Sequence, residues 1–182
     1  AAYFSAVETA GGSFDLTAID GTYTESYVKT AHSDFYAGLK TDGLWGKLTE
    51  FYLLIGKTFD GLTIKGKGTG TLTNNNFVSG DLLAAGTGAG LTGDRSTKYL
   101  DTGLNDNTLS ADDKSFGVYC TARNTSGGYL IVSRDLNVLM IWDNVDRIDF
   151  SLPNSDARYE YSNSDVSYFL ASRRNINDVE FY

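Results

Sequence analysis

Residues 147–152, Arg-Ile-Asp-Phe-Ser-Leu, decide the fold class. Ile148, Phe150 and Leu152 alternate with Arg147, Asp149 and Ser151. Successive side chains of a strand point to opposite faces, so this period of two describes a strand that is half-buried in an antiparallel sheet. Working outward, similar short runs recur. Strands are expected near 62–65, 70–73, 98–101, 116–122, 129–133, 138–142, 158–161, 168–172 and 179–182, with a short buried strand at 51–55. The gaps carry turn residues, among them Asn124-Thr-Ser-Gly-Gly128, Asp143-Asn144 and Pro153-Asn-Ser-Asp156. About ten short strands spaced by turns predict a mainly β protein, a sandwich or a barrel.

The first fifty residues read differently. Residues 2–10 predict a short helix closed by Gly11-Gly12. Thr24 is a good N-cap, followed by Glu25 in the first turn. Val28, Ala31, Phe35 and Leu39, at spacings of three and four, predict the inward face of a second helix, with Gly43 as its stop. Leu44, Trp45, Leu48 and Phe51 suggest a further helical turn. The expected organisation is a helical lead-in over residues 1–50 and a β-sandwich over 51–182.

Composition narrows the function classes. The chain has 182 residues, a net charge of −8 and 13% aromatic residues, with 12 Tyr and 10 Phe. Phosphate backbones are held by dense basic faces, so nucleic acid is not an expected partner. Lys65 and Lys67 alternate with apolar and glycine residues and read as the solvent side of a strand. No stretch approaches the roughly 18 apolar residues of a membrane helix, and no signal peptide is read. The chain begins Ala-Ala and ends Phe181-Tyr182, which suggests a processed protein or a piece of a longer one. One cysteine, Cys120, and one histidine, His32, leave no intrachain disulfide and no ordinary zinc site. Cys120 reads as a small buried hydrophobe and His32 as a surface helix residue.

The glycine-rich segment 90–103, GLTGDRSTKYLDTG, resembles a phosphate loop only superficially. Lys98 follows Ser96 and Thr97 instead of preceding them, and a strand pattern follows, not a helix. It reads as a turn that releases a strand, with Tyr99 and Leu100 on opposite sides. This segment, continued as GLTGDRSTKYLDTGLN (90–105) and followed by FGVYCTARN (116–124), resembles concanavalin A-like, or laminin-G-like, jelly-roll domains of bacteriophage structural and tail proteins. YVKTAHSDFYAGLKTDGLWGKLTEFYLL (27–54) is similar to their helical lead-in. TLTNNNFVSGD (71–81) and SYFLASRRNINDVEFY (167–182) are similar to later parts of the same domains. The resemblance covers roughly residues 20–182. It departs at Arg95, where a small residue is expected, and at the C-terminus, where similar domains continue past Phe-Tyr; a truncated jelly roll is the expectation.

The resemblance implies an antiparallel lectin-like sandwich with an N-terminal helical segment. It further implies a virion structural protein of a tail fibre, tailspike or capsid surface, located on the extracellular particle. Other virion proteins, a homo-oligomer such as a trimer, and host-surface glycan are the implied partners. Sugars stack on aromatic rings while Asp, Asn and Arg bond their hydroxyls. Trp142-Asp143-Asn144 is the best such cluster, and Tyr159 with Tyr161 is a second. In the plainer reading Trp142 belongs to the core and Asp143-Asn144 is only a turn. No catalytic residues are assigned. Glucanases of this fold place their carboxylates as Glu-x-Asp-x-x-Glu, which this chain lacks, and Asp143, Asp146 and Asp149 alternate faces along one strand. A glycan-degrading enzyme and a purely architectural decoration stay as alternatives. No cofactor is expected. Calcium is considered at Asp101, Asp106, Asp112 and Asp113, which lack the spacing of a dedicated calcium loop.

Overall fold

In the computed structural model of the chain, the described residues are 2–17, 23–54, 58–83, 90–94, 96–104, 114–120, 128–132, 139–142, 147–152, 155–160, 167–175 and 178–181. The backbone groups into two compact units, Ala1–Gly103 and Leu104–Tyr182. This division lies well beyond residue 50, where the sequence pattern changes from helix to strand.

The first unit begins with α1 (Ala2–Thr9), stopped at Gly11, whose φ is +78°. Helix α2 (Glu25–Thr41) starts where its capping chemistry requires. The Thr24 side chain accepts a hydrogen bond from the Tyr27 amide at 3.3 Å, Glu25 and Lys40 complement the helix dipole, and Gly43 at φ +70° turns the chain away. The inward face of α2 is not the expected one. Val28 and His32 are buried and Tyr36 is half-buried, whereas Ala31 and Phe35 are exposed and Leu39 is only half-buried. The helix is rotated by about one residue because an aromatic cluster supplied by α1 and the loop after it receives Val28 and His32. Val7, Phe14 and Val28 form its buried centre, and Tyr3, Phe4, Leu16 and Ile64 pack around them. His32 is therefore a core residue and not a surface one.

Three further expectations fail in this unit. Residues 44–48 form turns closed by Leu48 N–H donating to Leu44, not a helix. The apolar run from Phe51 is not a strand: Phe51 makes an isolated bridge to Lys67, and Leu54 turns the backbone with φ +49°. Residues 62–65 close a one-turn helix, α3 (Phe59–Leu62), capped by Thr58, before Ile64 bridges to Thr71. Lys65 does not face solvent either. It is 9% exposed and its ammonium lies 2.7 Å from Glu50, while it also donates to the Thr102 carbonyl. The half-buried Lys67 donates to the carbonyls of Trp45 and Leu48.

Short strands complete the first unit. β1 (Thr73–Asn75) pairs antiparallel with β4 (Tyr99–Asp101), and β2 (Leu82–Leu83) with β3 (Gly90–Leu91). Tyr99 is exposed and Leu100 half-buried, as their alternation predicts.

The second unit contains two antiparallel sheets. One has the order β11 (Asp178–Phe181), β10 (Ser167–Asn175), β5 (Lys114–Cys120). The other runs β6 (Gly128–Val132), β7 (Leu139–Trp142), β8 (Arg147–Leu152), β9 (Ser155–Glu160). Each of these strands overlaps an expected one, and β8 matches it residue for residue. Directly opposed residues of a sheet share a face, so the registers sort the positions. In the four-stranded sheet, Met140, Trp142, Ile148, Phe150, Leu152, Ala157 and Tyr159 fall on one face, with Ser155 at its end. Arg147, Asp149, Ser151, Asp156, Arg158 and Glu160 fall on the other, together with Leu139 and Ile141. In the three-stranded sheet, Phe116, Val118, Cys120, Phe169, Ala171, Val179 and Phe181 share one face with Lys114, Ser167 and Arg173, and Ser115, Gly117, Tyr119, Tyr168, Leu170, Ser172 and Glu180 fall on the other.

Candidate functional site

The register brings two of the sequence candidates together. Trp142 pairs with Ile148, and Ile148 with Tyr159, so the three positions form one row across β7, β8 and β9. Gly128 of β6 extends the row on the far side of Trp142. With strands about 4.8 Å apart, positions 142 and 159 lie about 10 Å from each other. Their neighbours on that face are Met140, Ile148, Phe150 and Leu152, an apolar set. Asp143, Asn144 and Tyr161 lie outside the described residues, so only Trp142 and Tyr159 of the two candidate clusters have described positions.

The opposite face of the same sheet carries ordered charge. Arg147 is opposite Glu160, and Asp149 is opposite Arg158. Two carboxylate positions, Glu160 and Asp149, thus meet arginine positions across the strands, the register of a cross-strand charge ladder, while Asp156 is opposite Ser151. Of the three aspartates weighed for catalysis, Asp149 belongs to this ladder, and Asp143 and Asp146 lie outside the described residues.

The glycine-rich segment 90–103 holds its own anion. The Asp94 carboxylate accepts from the backbone amides of Ser96, Thr97 and Lys98 at 3.0, 2.8 and 2.9 Å, and from the Thr97 hydroxyl. These hydrogen bonds hold the Asp94 carboxyl well below the usual carboxylate range, with the Thr97 hydroxyl the largest cause. The Lys98 ammonium lies 2.6 Å from Asp81. Amides and lysine that would cradle a phosphate are thus committed to carboxylates of the chain itself, which agrees with the reading of a turn. Arg95 lies outside the described residues. Asp101 accepts from the Gly103 amide at 2.8 Å, while Asp106, Asp112 and Asp113 are outside the described residues.

Two polar features of the first unit were not legible beforehand. The Lys65–Glu50 pair is nearly dry, with side chains 4% and 11% exposed, and Tyr52 donates its hydroxyl to the same carboxylate. His32 lies with its ring centroid 5.8 Å from Phe14 and 6.2 Å from Phe4, and its Nδ1 is buried without a hydrogen-bond partner. Burial pushes its pKa below 6.5. The Tyr36 hydroxyl is likewise buried without a partner, and burial pushes the phenol up to about 12. Both features arise from long-range packing, and no local pattern signals them.

In the second unit the sequence reading passed over Tyr119. It is 60% exposed and sits opposite Tyr168. Its signal was present: in Ser115-Phe-Gly-Val-Tyr119 the odd-numbered positions alternate with the apolar Phe116 and Val118.

No family model, no curated protein and no solved structure matches this chain.

Proposed function

We propose that the protein is a bacteriophage virion structural protein whose strands form a lectin-like jelly-roll sandwich behind a helical segment. It would stand on the particle surface as a homo-oligomer among other virion proteins, with host-surface glycan as its ligand. One observation supports the sandwich: in both sheets of the second unit one face is mostly apolar and the other more polar. Two such sheets bury their apolar faces most simply against each other, which leaves the polar faces and end loops for recognition. The phage role rests on the motif resemblance at residues 27–54, 71–81, 90–105, 116–124 and 167–182.

One observation favours the purely architectural reading as the second choice. Trp142 and Tyr159 share their face with Met140, Ile148, Phe150 and Leu152. A sandwich would consume both rings in its core and leave them unable to stack on sugar. An enzyme is the weakest reading, since the chain lacks the Glu-x-Asp-x-x-Glu pattern and two of the described carboxylate positions on the charged face, Asp149 and Glu160, are opposed by arginine positions.

The test is one binding assay with two readouts. Purified protein is placed on a panel of bacterial surface glycans, and retention and released reducing ends are scored together, beside the oligomeric mass from light scattering. Retention without cleavage is expected. Cleavage would overturn the non-enzymatic reading. Silence in both channels, with a control lectin active, would leave the architectural role.

A further inference from the structure

We infer that the outward face of the β1–β4 ribbon binds a neutral sugar, with Tyr99 as its aromatic floor and Asn75, Asp101 and Thr73 as its polar rim. The inference rests on the glycan-binding reading above and gives that ligand a site in the first unit.

The register assembles the site. Asn75 is opposite Tyr99, and Thr73 is opposite Asp101. Directly opposed residues share a face, as do residues two apart along a strand, so these four side chains stand together. Tyr99, Asp101 and Thr73 are exposed and Asn75 is half-buried. Leu100, between Tyr99 and Asp101, belongs to the other side and is half-buried. The Tyr99 side of the ribbon is therefore open, and Tyr99 is 55% exposed. The four positions form a square about 5 Å across the strands and about 7 Å along them. One pyranose ring with its hydroxyls covers that square.

Side chains outside the square fix its backbone. Asn74 donates to the Phe77 carbonyl at 3.0 Å and accepts from the Phe77 amide at 3.1 Å, and Asn76 donates to the Thr97 carbonyl at 2.9 Å. Asp94 holds the amides of Ser96, Thr97 and Lys98 just before Tyr99. Lys65 donates to the Thr102 carbonyl at 2.7 Å just after Asp101. Inside the square, the Asn75 amide donates to the Thr73 carbonyl at 3.2 Å, and one Asp101 oxygen accepts from the Gly103 amide at 2.8 Å. Among the described residues, no hydrogen bond uses the Asn75 side-chain oxygen, the second Asp101 oxygen or the hydroxyls of Thr73 and Tyr99. Spare donors and acceptors around an open ring, on a backbone already held, make a preorganised binding surface.

A neutral sugar matches this chemistry. Its C–H face stacks on the tyrosine ring, its adjacent hydroxyls donate to Asp101 and Asn75, and the Thr73 hydroxyl both donates and accepts. A phosphate or an acidic sugar would meet the Asp101 carboxylate, the only formal charge in the square. A protein partner would require a broader apolar core than a single ring.

The full chain is titrated with the methyl glycosides of glucose, galactose, mannose and N-acetylglucosamine, and with glucuronate, followed by saturation-transfer NMR. At least one neutral sugar should bind. Tyr99→Ala should weaken it by about tenfold or more, Asp101→Asn by about fivefold or more, and Tyr99→Phe should stay within about threefold. Tyr119→Ala, which removes an exposed tyrosine of the second unit, should change nothing. Tyr99 is exposed, and Asn at position 101 keeps an acceptor for the Gly103 amide, so both variants should retain the parent's circular dichroism. Unchanged affinity in folded Tyr99→Ala or Asp101→Asn overturns the site and leaves glycan binding standing elsewhere on the molecule. Glucuronate binding tighter than any neutral sugar also overturns it. Silence with every sugar overturns it too. In that case retention on the bacterial glycan panel would preserve the glycan-binding reading, and silence there would remove both.

Discussion

The two units of this chain are stabilised in different ways. In Leu104–Tyr182 the strands carry their own instructions, because alternation sets which face is buried and the register follows. In Ala1–Gly103 the order comes from contacts between distant residues: Phe14 on His32, Lys65 on Glu50, and Gly61 on Gly12. A periodic element tolerates change where its pattern is kept. A contact-built unit depends on single atoms, so its largest sensitivities should sit at a few unremarkable positions.

The largest expected effect is Lys65→Met. It leaves the Glu50 carboxylate, 11% exposed, without its ammonium. Removing one partner of a buried pair costs about 3–5 kcal/mol. The double variant with Glu50→Gln should recover most of that loss in chemical denaturation, since the stranded charge is gone. A single variant as stable as the parent would show that the pair is effectively solvated, and that the first unit is less contact-dependent than argued.

The matching test in the second unit is a pair of neighbours. Ile148→Asp puts a charge on the apolar face and should cost about 3 kcal/mol or prevent folding, whereas Asp149→Ile, on the ladder face, should stay within about 1 kcal/mol. Equal effects would break the assignment of faces, and with it the proposed sandwich.

Gly61→Ala returns to the first unit at a smaller scale. A methyl group there would lie 2.7 Å from the Gly12 Cα, and the reverse substitution at Gly12 would come within 3.0 Å of the Gly61 Cα and 2.9 Å of the Val7 carbonyl. Backbone cannot yield as a side-chain tip does. The expected cost is about 1–3 kcal/mol, read as a lowered melting temperature. A neutral result would mean that α1 and α3 separate easily.

This contrast explains what could be read in advance. The strands from β4 onward were legible because each is an alternating or uniformly apolar run bounded by turn residues. The start of α2 was legible because Thr24 and Glu25 are local signals. The inward face of α2 was not, since Val28, Ala31, Phe35 and Leu39 satisfy helical spacing as well as Val28, His32 and Tyr36 do. Only the aromatic cluster around Phe14 chooses between them. The described part of the apolar run at 51–55, residues 51–54, failed for a related reason: hydrophobicity without alternation does not specify an extended backbone, and Leu54 adopts a positive φ. Of the candidate site, Trp142 and Tyr159 were named from composition, but their common row needed the register. Tyr119 was missed because a lone tyrosine in a strand gives no notice of the residue that will be opposite it.

The smallest effect expected is also the most specific to the contact-built unit. His32 is 7% exposed, its Nδ1 has no partner, and burial depresses its pKa below 6.5. The Phe14 ring that packs on it also carries the Lys29 ammonium, 5.7 Å from the ring centre, and Lys29 is paired with the carboxylates of Glu8 and Glu25. Well above pH 6.5 the histidine is neutral in the folded and the unfolded chain alike and has no effect on pH dependence. As pH falls below 6.5, the unfolded chain takes up the proton first, so stability declines until the lower folded pKa is passed. The tightly bonded Asp81 and Asp94, whose pKa values are both lowered, lose their contribution only in a separate window below about pH 4. Denaturation midpoints measured between pH 7.5 and 4.5 should therefore fall for the parent and stay flat for His32→Leu, with the two curves running parallel again at lower pH. A slope that persists in His32→Leu would assign the acid sensitivity to other groups and remove His32 from the set of single contacts on which the first unit depends.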